Sequence, residues 1–302
     1  MKVYTYKLED TGCASESGLR LPGMEATQNP AEADVFLVPA PMFLMNPNGD
    51  ESKLLSLPHI KQYDPTGRRH VLLDISDYDP EHPSLPDLMT IRGNCKGWHK
   101  RKYKNTIAWP WPVESLPQCI EPPKDGFTHS VGFYGWRTSS NVRESSLASA
   151  QKVLGEKASI TTFTEFYGYI ERDNPELAKV RRAAFLDNVR SCLLQMTPCS
   201  IHGVFPYRFY EAMSAARVPI LFCSDYTLPW QNHIDWDACT IRFDAVEDPP
   251  KAGELIQGVL DKYTPAQLIE MGKRGRAYWE KYLNRDKFSE LFTLAVTENL
   301  NG

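Results

Sequence analysis

Apolar residues in this chain fall into short unbroken runs separated by longer stretches where they recur every three or four positions. The runs predict strands over Lys2–Tyr6, Val35–Pro39, Arg68–Asp74 and Asn105–Trp109 in the first third. In the remainder they predict strands over His129–Tyr134, Ala158–Thr162, the apolar run from Cys192, Val218–Phe222 and Thr240–Phe243. The three-to-four periodicity predicts helices over Ser52–Gln62, Val142–Leu154, Pro175–Val189, Ala252–Lys262, Pro265–Leu283 and Asp286–Leu300. Another helix carries Phe209, Ala212, Met213 and Ala216 on one face. Residues 80–100, rich in Pro, Gly and His, read as irregular. Strands alternate with helices in both halves, so the fold class is α/β with mainly parallel sheets. The architecture expected is two Rossmann-like domains facing across a cleft. Gln118–Gly126, with Pro122 and Pro123, reads as the linker. It divides the chain into 1–120 and 121–285, with a C-terminal helix over 286–302 packing back on the first domain.

Composition narrows the class. Of 302 residues, 42% are hydrophobic and 24% charged, as in a soluble globular protein with a real core. The net charge of −4, without a basic tail, makes nucleic acid an unfavoured partner. The seven cysteines are odd in number and contain no CxxC pair, which favours reduced thiols over a disulfide frame or zinc site. Ala33–Met45, the longest apolar stretch, is broken by Pro39 and Pro41 and is too short to cross a bilayer. No signal peptide is evident, so a soluble, cytoplasmic protein is expected.

The segment from Cys192 to Trp236 carries most of the chemistry. An apolar run enters a polar loop containing Gly203, a helix follows, and a second apolar run closes the unit. A loop opening at a helix N-terminus favours an anion, because unsatisfied N–H groups point into it. Arg208 adds a fixed charge suited to a diphosphate, and Glu211, one turn on, can accept ribose hydroxyls. The plain alternative is an ion pair between these two side chains on the helix surface.

Several segments in order resemble the exostosin-like glycosyltransferases (glycosyltransferase family 47). They are Ala31-Glu32-Ala33-Asp34-Val35-Phe36-Leu37-Val38-Pro39, Ser130-Val131-Gly132-Phe133-Tyr134-Gly135 with Val142-Arg143, and Tyr207-Arg208-Phe209-Tyr210-Glu211-Ala212-Met213. Val218-Pro219-Ile220, Ser224-Asp225-Tyr226-Thr227-Leu228-Pro229-Trp230 and Asp235-Trp236 complete the match. The resemblance implies a GT-B fold and inverting transfer of a sugar from a nucleoside-diphosphate sugar, most simply a UDP-sugar, to a hydroxyl of a glycan or glycoprotein acceptor. It implies no required metal or other cofactor, an acceptor-binding first domain and a donor-binding second. Carried over, Arg208 would contact the diphosphate, Glu211 the ribose or sugar hydroxyls, and Arg143 a phosphate. The family often has Arg-Gly where this chain has Cys199-Ser200, so Ser200, His202 or Tyr207 would take over those loop contacts. Animal members are usually Golgi membrane proteins, so this chain fits a microbial or viral enzyme or a trimmed catalytic domain.

An inverting transfer needs a base for the acceptor hydroxyl and cations for the departing diphosphate. Asp77 and then Asp74 are the base candidates, as both follow a strand of the first domain; the competing role is turn formation. Arg137 joins Arg143 as a phosphate candidate at the opening of the second domain. Asp77-Tyr78-Asp79 also spells a DxD, a metal-binding pair in other glycosyltransferases, and Asp235-Trp236-Asp237 repeats it. His70 reads as structural, the tryptophans as core, and the basic cluster Lys96–Lys102 as a solvated loop. Three alternatives stay open: a metal-dependent transferase, a transferase acting on modified viral DNA bases, and a non-catalytic carbohydrate- or nucleotide-binding protein.

Overall fold

A computed structural model describes residues 1–6, 25–39, 58–64, 66–74, 87–93, 95–97, 105–137, 140–165, 170, 172–200 and 204–301. The chain divides into two compact units. The first comprises residues 1–111, 225–230 and 285–302; the second comprises 112–224 and 231–284.

The first unit is built on six parallel strands: β1 (Lys2–Thr5), β2 (Glu25–Ala26), β3 (Val35–Pro39), β4 (His70–Asp74), β5 (Met89–Arg92) and β6 (Thr106–Ala108). Their order is β2-β1-β3-β4-β5-β6, with Val3 opposite Val35 and Leu37 opposite Val71. β5 corrects the reading of residues 80–100 as irregular. All of Met89, Thr90, Ile91 and Arg92 are buried, so the strand shows neither the alternation of a half-exposed strand nor an apolar run. The helix expected from Ser52 is described over α1 (Pro58–Tyr63). Tyr6, Phe36, Val38, Leu72 and Leu88 form the core. Below it Tyr6 Oη lies 2.9 Å from His70 Nε2, and His70 Nδ1 lies 2.7 Å from Asp64 Oδ2. Burial pushes the His70 pKa down, against the pull of Asp64.

The C-terminal helix (Phe288–Asn301) belongs to this unit, with the Phe288 and Phe292 rings edge-on to Trp109 at 4.9 and 6.3 Å. Residues 225–230 join it as well. Gly97 N–H donates to Asp225 O (2.6 Å), Thr227 N–H donates to Cys95 O (2.8 Å), and Trp230 packs on Trp109 at 5.6 Å. Asp225 (φ 57°) and Trp230 (φ 52°) bracket this segment in the left-handed region, which residues with a Cβ seldom occupy.

The second unit contains β7 (His129–Trp136), α2 (Asn141–Leu154), β8 (Ala158–Phe163), α3 (Pro175–Ser191) and β9 (Cys192–Pro198). It continues through α4 (Arg208–Ser214), β10 (Val218–Phe222), β11 (Ile241–Phe243), α5 (Ala252–Lys262) and α6 (Pro265–Tyr278). The strands are parallel in the order β11-β10-β9-β7-β8. β9 lies at the centre and all seven of its residues are buried; in the edge strand β8 only Ala158 is buried, and Thr161 and Thr162 are exposed. Ser140 caps α2, Asn174 caps α3, and Thr264 with Gln267 forms a reciprocal capping box before Pro265 of α6. The single helix expected over Pro265–Leu283 becomes α6 followed by a π-turn at Trp279–Leu283 that buries Trp279 and Leu283. Leu116 and Cys119 pack with Phe185, Val189 and Ala215, so the start of the proline-rich stretch lies within this unit.

Arg217 pins the floor of the second unit. It is 2% exposed and donates to the carbonyls of Val189 and Arg190 at the end of α3, Ala215 and Ala216 after α4, and Ile120. Burial lowers its pKa to about 10, still far above neutral pH. The charge is balanced by carbonyls left over at helix ends, whose dipoles favour a cation.

Candidate active site

In the second sheet the chain leaves β7 toward β8 on one side and later returns to β9 on the other. The β7–β9 junction is therefore the point where strand order reverses. In open parallel sheets, ligands bind outside the carboxyl ends of the strands at this point.

Arg143 straddles that junction. Its Nη1 donates to Trp136 O (3.1 Å), at the end of β7, and its Nη2 to Pro198 O (3.3 Å), at the end of β9. Ser140 holds the same corner, accepting from Arg143 N–H (3.2 Å) and donating through Oγ to Cys199 O (2.9 Å). Arg143 is buried, and desolvation, with the Arg208 charge second, lowers its pKa to about 10. It remains protonated at neutral pH.

Arg208 comes to the same place from the other chain segment. Its Nη1 donates to Tyr134 O, and its guanidinium lies 5.5 Å from the Phe133 ring centroid, the ring that Arg143 faces at 5.8 Å. Phe185 supports it at 5.1 Å. Gly135 makes the room: a Cβ there would stand 2.6 Å from Arg208 Nη2. Beneath, Gln195, Thr197 and Arg208 line a cavity of about 10 Å³, the size of one water. Among the described residues neither Arg143 nor Arg208 has a carboxylate partner. Two cations therefore stand at the switch point with no counter-charge among the described residues, an arrangement whose chemistry suits an anion.

The other candidates divide. Glu211 is buried, and its Oε1 meets Arg182 Nη1 at 3.1 Å. The i, i+3 pair with Arg208 weighed from the sequence is thus not what holds Glu211; α3 supplies the cation. α4 has only seven residues, so its own N-terminus is a weaker anion site than the sequence pattern promised. Tyr207, at the start of α4, is 48% exposed. Arg137 is exposed and pairs with Glu144 (3.2 Å). Ser200 N–H donates to Val204 O (3.0 Å), closing the described part of the loop. Asp74 ends β4 in the first unit. Asp77 and His202 lie outside the described residues, as does Asp77-Tyr78-Asp79. In the second DxD, Asp237 is engaged by Arg242, and Asp235 Oδ1 accepts Ala238 N–H (3.2 Å), which ties both to local structure. Among the described residues no three His, Cys, Asp or Glu side chains cluster to hold a metal, and no helix is long and apolar enough to cross a membrane.

Sequence reasoning missed Arg182, whose only signal is its place on the inward side of α3. It also missed that Cys199 and Cys223 are neighbours, which the parallel register of β9 and β10 dictates once known.

No protein-family model and no curated protein matches the chain. Among solved structures, a glycosyltransferase from Rickettsia africae aligns with a TM-score of 0.53 at 7% identity, over 89% of this chain and 78% of its own. Sucrose-phosphate synthase from Thermosynechococcus elongatus aligns with a TM-score of 0.49 at 11% identity, over 88% of this chain and 73% of its own. The Anabaena protein HepE, solved in complex with UDP, aligns at 0.47 and 11% identity, over 89% and 79%. With two Rossmann-like units, each on a parallel sheet, the chain has the GT-B fold that it shares with the Rickettsia africae glycosyltransferase.

Proposed function

We propose that this protein is an exostosin-like, inverting, metal-independent glycosyltransferase that moves a sugar from a nucleoside-diphosphate sugar to a hydroxyl of a glycan acceptor. The observation that carries this reading is the pairing of Arg143 and Arg208 at the switch point of the second sheet, fixed by strand-end carbonyls and, among the described residues, without a carboxylate partner. A nucleoside diphosphate matches that charge, and the shared fold supports a sugar nucleotide as its source.

In this mechanism the acceptor oxygen attacks the anomeric carbon as Asp77 or Asp74 takes its proton. The bond to the diphosphate breaks, and the charge on the leaving oxygen grows next to the two guanidinium groups. Both are already positioned by Trp136 O, Pro198 O and Tyr134 O, so little reorganisation accompanies the charge shift. Glu211 Oε1 is held by Arg182, and its other oxygen takes a donor hydroxyl. Ser200, His202 and Tyr207 complete the loop side.

The test is a thermal-shift screen of the full chain with UDP, GDP, CDP and their sugars, with and without EDTA. One nucleotide is expected to raise the melting temperature by mass action, EDTA to leave the rise intact, and Arg208→Ala to remove it. A rise abolished by EDTA would replace this mechanism with the metal-dependent one. No rise with any nucleotide would remove the donor site.

A further inference from the structure

β9 and β10 run parallel in a register that sets Pro198 opposite Phe222, their last residues. The next residue of each is a cysteine. Cys199 N–H donates to Phe222 O at 3.3 Å, so pairing continues one step past the sheet and sets Cys223 beside Cys199 on the neighbouring strand. Adjacent parallel strands lie about 4.8 Å apart. That spacing is inside the Cα separation of roughly 4.4–6.8 Å that a disulfide spans. Both cysteines are reduced here, Cys199 buried and Cys223 half-buried.

The pair sits against the Arg143 corner. Pro198 O, one residue before Cys199, accepts from Arg143, and Cys199 O accepts from Ser140, the residue that caps the Arg143 helix. Burial and the adjoining Cys199 thiol hold the Cys223 pKa well above its ordinary value, so in the resting protein it is a thiol and adds no negative charge beside the arginines.

We propose that Cys199 and Cys223 are a reversible redox pair whose disulfide disturbs the Arg143 corner and weakens anion binding there. The oxidant is a hydroperoxide. One thiol gives up its proton and the resulting thiolate attacks the peroxide, forming S–O and breaking O–O; the proton joins the departing hydroxide, and one water leaves. The second thiol then attacks that sulfur, forming S–S and releasing a second water. Two thiols are oxidised, one hydrogen peroxide is reduced, and two waters result. A dithiol reverses the step by exchange. Forming an S–S bond about 2.05 Å long with a torsion of about 90° re-orients the backbone at Cys199, and with it the carbonyls that Ser140 and Arg143 hold.

The effect on binding rests on the diphosphate reading above; the existence of the pair does not. The full chain is treated with hydrogen peroxide, digested without reduction and mapped by mass spectrometry, and UDP affinity is measured by calorimetry before and after oxidation. A linked Cys199–Cys223 peptide that dithiothreitol removes is expected, with UDP affinity about tenfold weaker in the oxidised protein. Cys223→Ser is expected to show no linked peptide and the same affinity before and after peroxide. Absence of the linked peptide, or partnering of either cysteine with Cys13 or another residue, overturns the pair. A linked peptide with unchanged UDP affinity, or an oxidant effect that persists in Cys223→Ser, overturns the coupling to the site. If the reduced protein binds no nucleotide, the donor reading fails and the coupling with it, while the linked peptide still decides the pair.

Discussion

In the first unit, the buried ionisable groups beneath the sheet answer one another: Asp64 faces His70, and His70 faces Tyr6. In the second unit, Arg143, Arg208 and Arg217 donate to backbone carbonyl oxygens instead. The strand order is the same in both as far as the shared strands go, so topology does not explain the contrast. Position does. Arg217 precedes β10 at the amino edge and collects carbonyls from helix ends, where its charge serves the fold. Arg143 and Arg208 stand at the carboxyl edge beside the strand reversal, the place where open parallel sheets take ligands. A carbonyl-held arginine is therefore a structural clamp at one end of a parallel sheet, while at the other end it holds the diphosphate in the function proposed above.

The strongest way to break this contrast is Arg217→Met. Several buried carbonyls would lose their donor at once, and breaking such a buried charged network costs about 3–5 kcal/mol. Denaturant unfolding should show a loss of that order, with nucleotide affinity of the remaining folded protein unchanged. A loss below about 1 kcal/mol would mean that the carbonyls find water and the clamp reading is wrong.

Glu211→Gln sharpens the boundary between the two roles. Loss of the half-buried pair with Arg182 should lower stability by about 1–2 kcal/mol. If Glu211 also takes a donor hydroxyl, UDP-sugar affinity should fall about tenfold, or about 1.4 kcal/mol, while inorganic pyrophosphate binds as before. An equal fall for both ligands would instead assign the effect to a displaced Arg208.

The smallest effect concerns the compensated network of the first unit. The His70 pKa is lowered in the folded protein, chiefly by burial, so the unfolded chain takes up a proton first as pH falls through about 6.5. Stability should decline from there until the folded pKa is passed, with a slope no steeper than about 1.4 kcal/mol per pH unit. Equilibrium unfolding between pH 7.5 and pH 5 should show this slope, and His70→Gln should remove it. A slope of opposite sign would make the Asp64 interaction stronger than burial.

Much of this was legible in the chain. The apolar run from Cys192 announced a strand, and the helix that begins at Arg208 was readable from the loop before it. β5 was not legible, because four residues with an arginine among them carry no period. Neither was the partner of Glu211: i, i+3 spacing pointed to Arg208, and tertiary packing brought Arg182 from α3 instead.

By itself, then, the sequence determined what local periodicity and backbone chemistry can fix: an α/β chain, its strong strands, its periodic helices and the residue types available for an anion. Only the tertiary structure decided which of those residues meet. The convergence of Arg143 and Arg208 on Phe133, and of Cys199 on Cys223, depends on strand order and parallel register. Those are set by long-range burial of several strands at once, which no local stretch encodes.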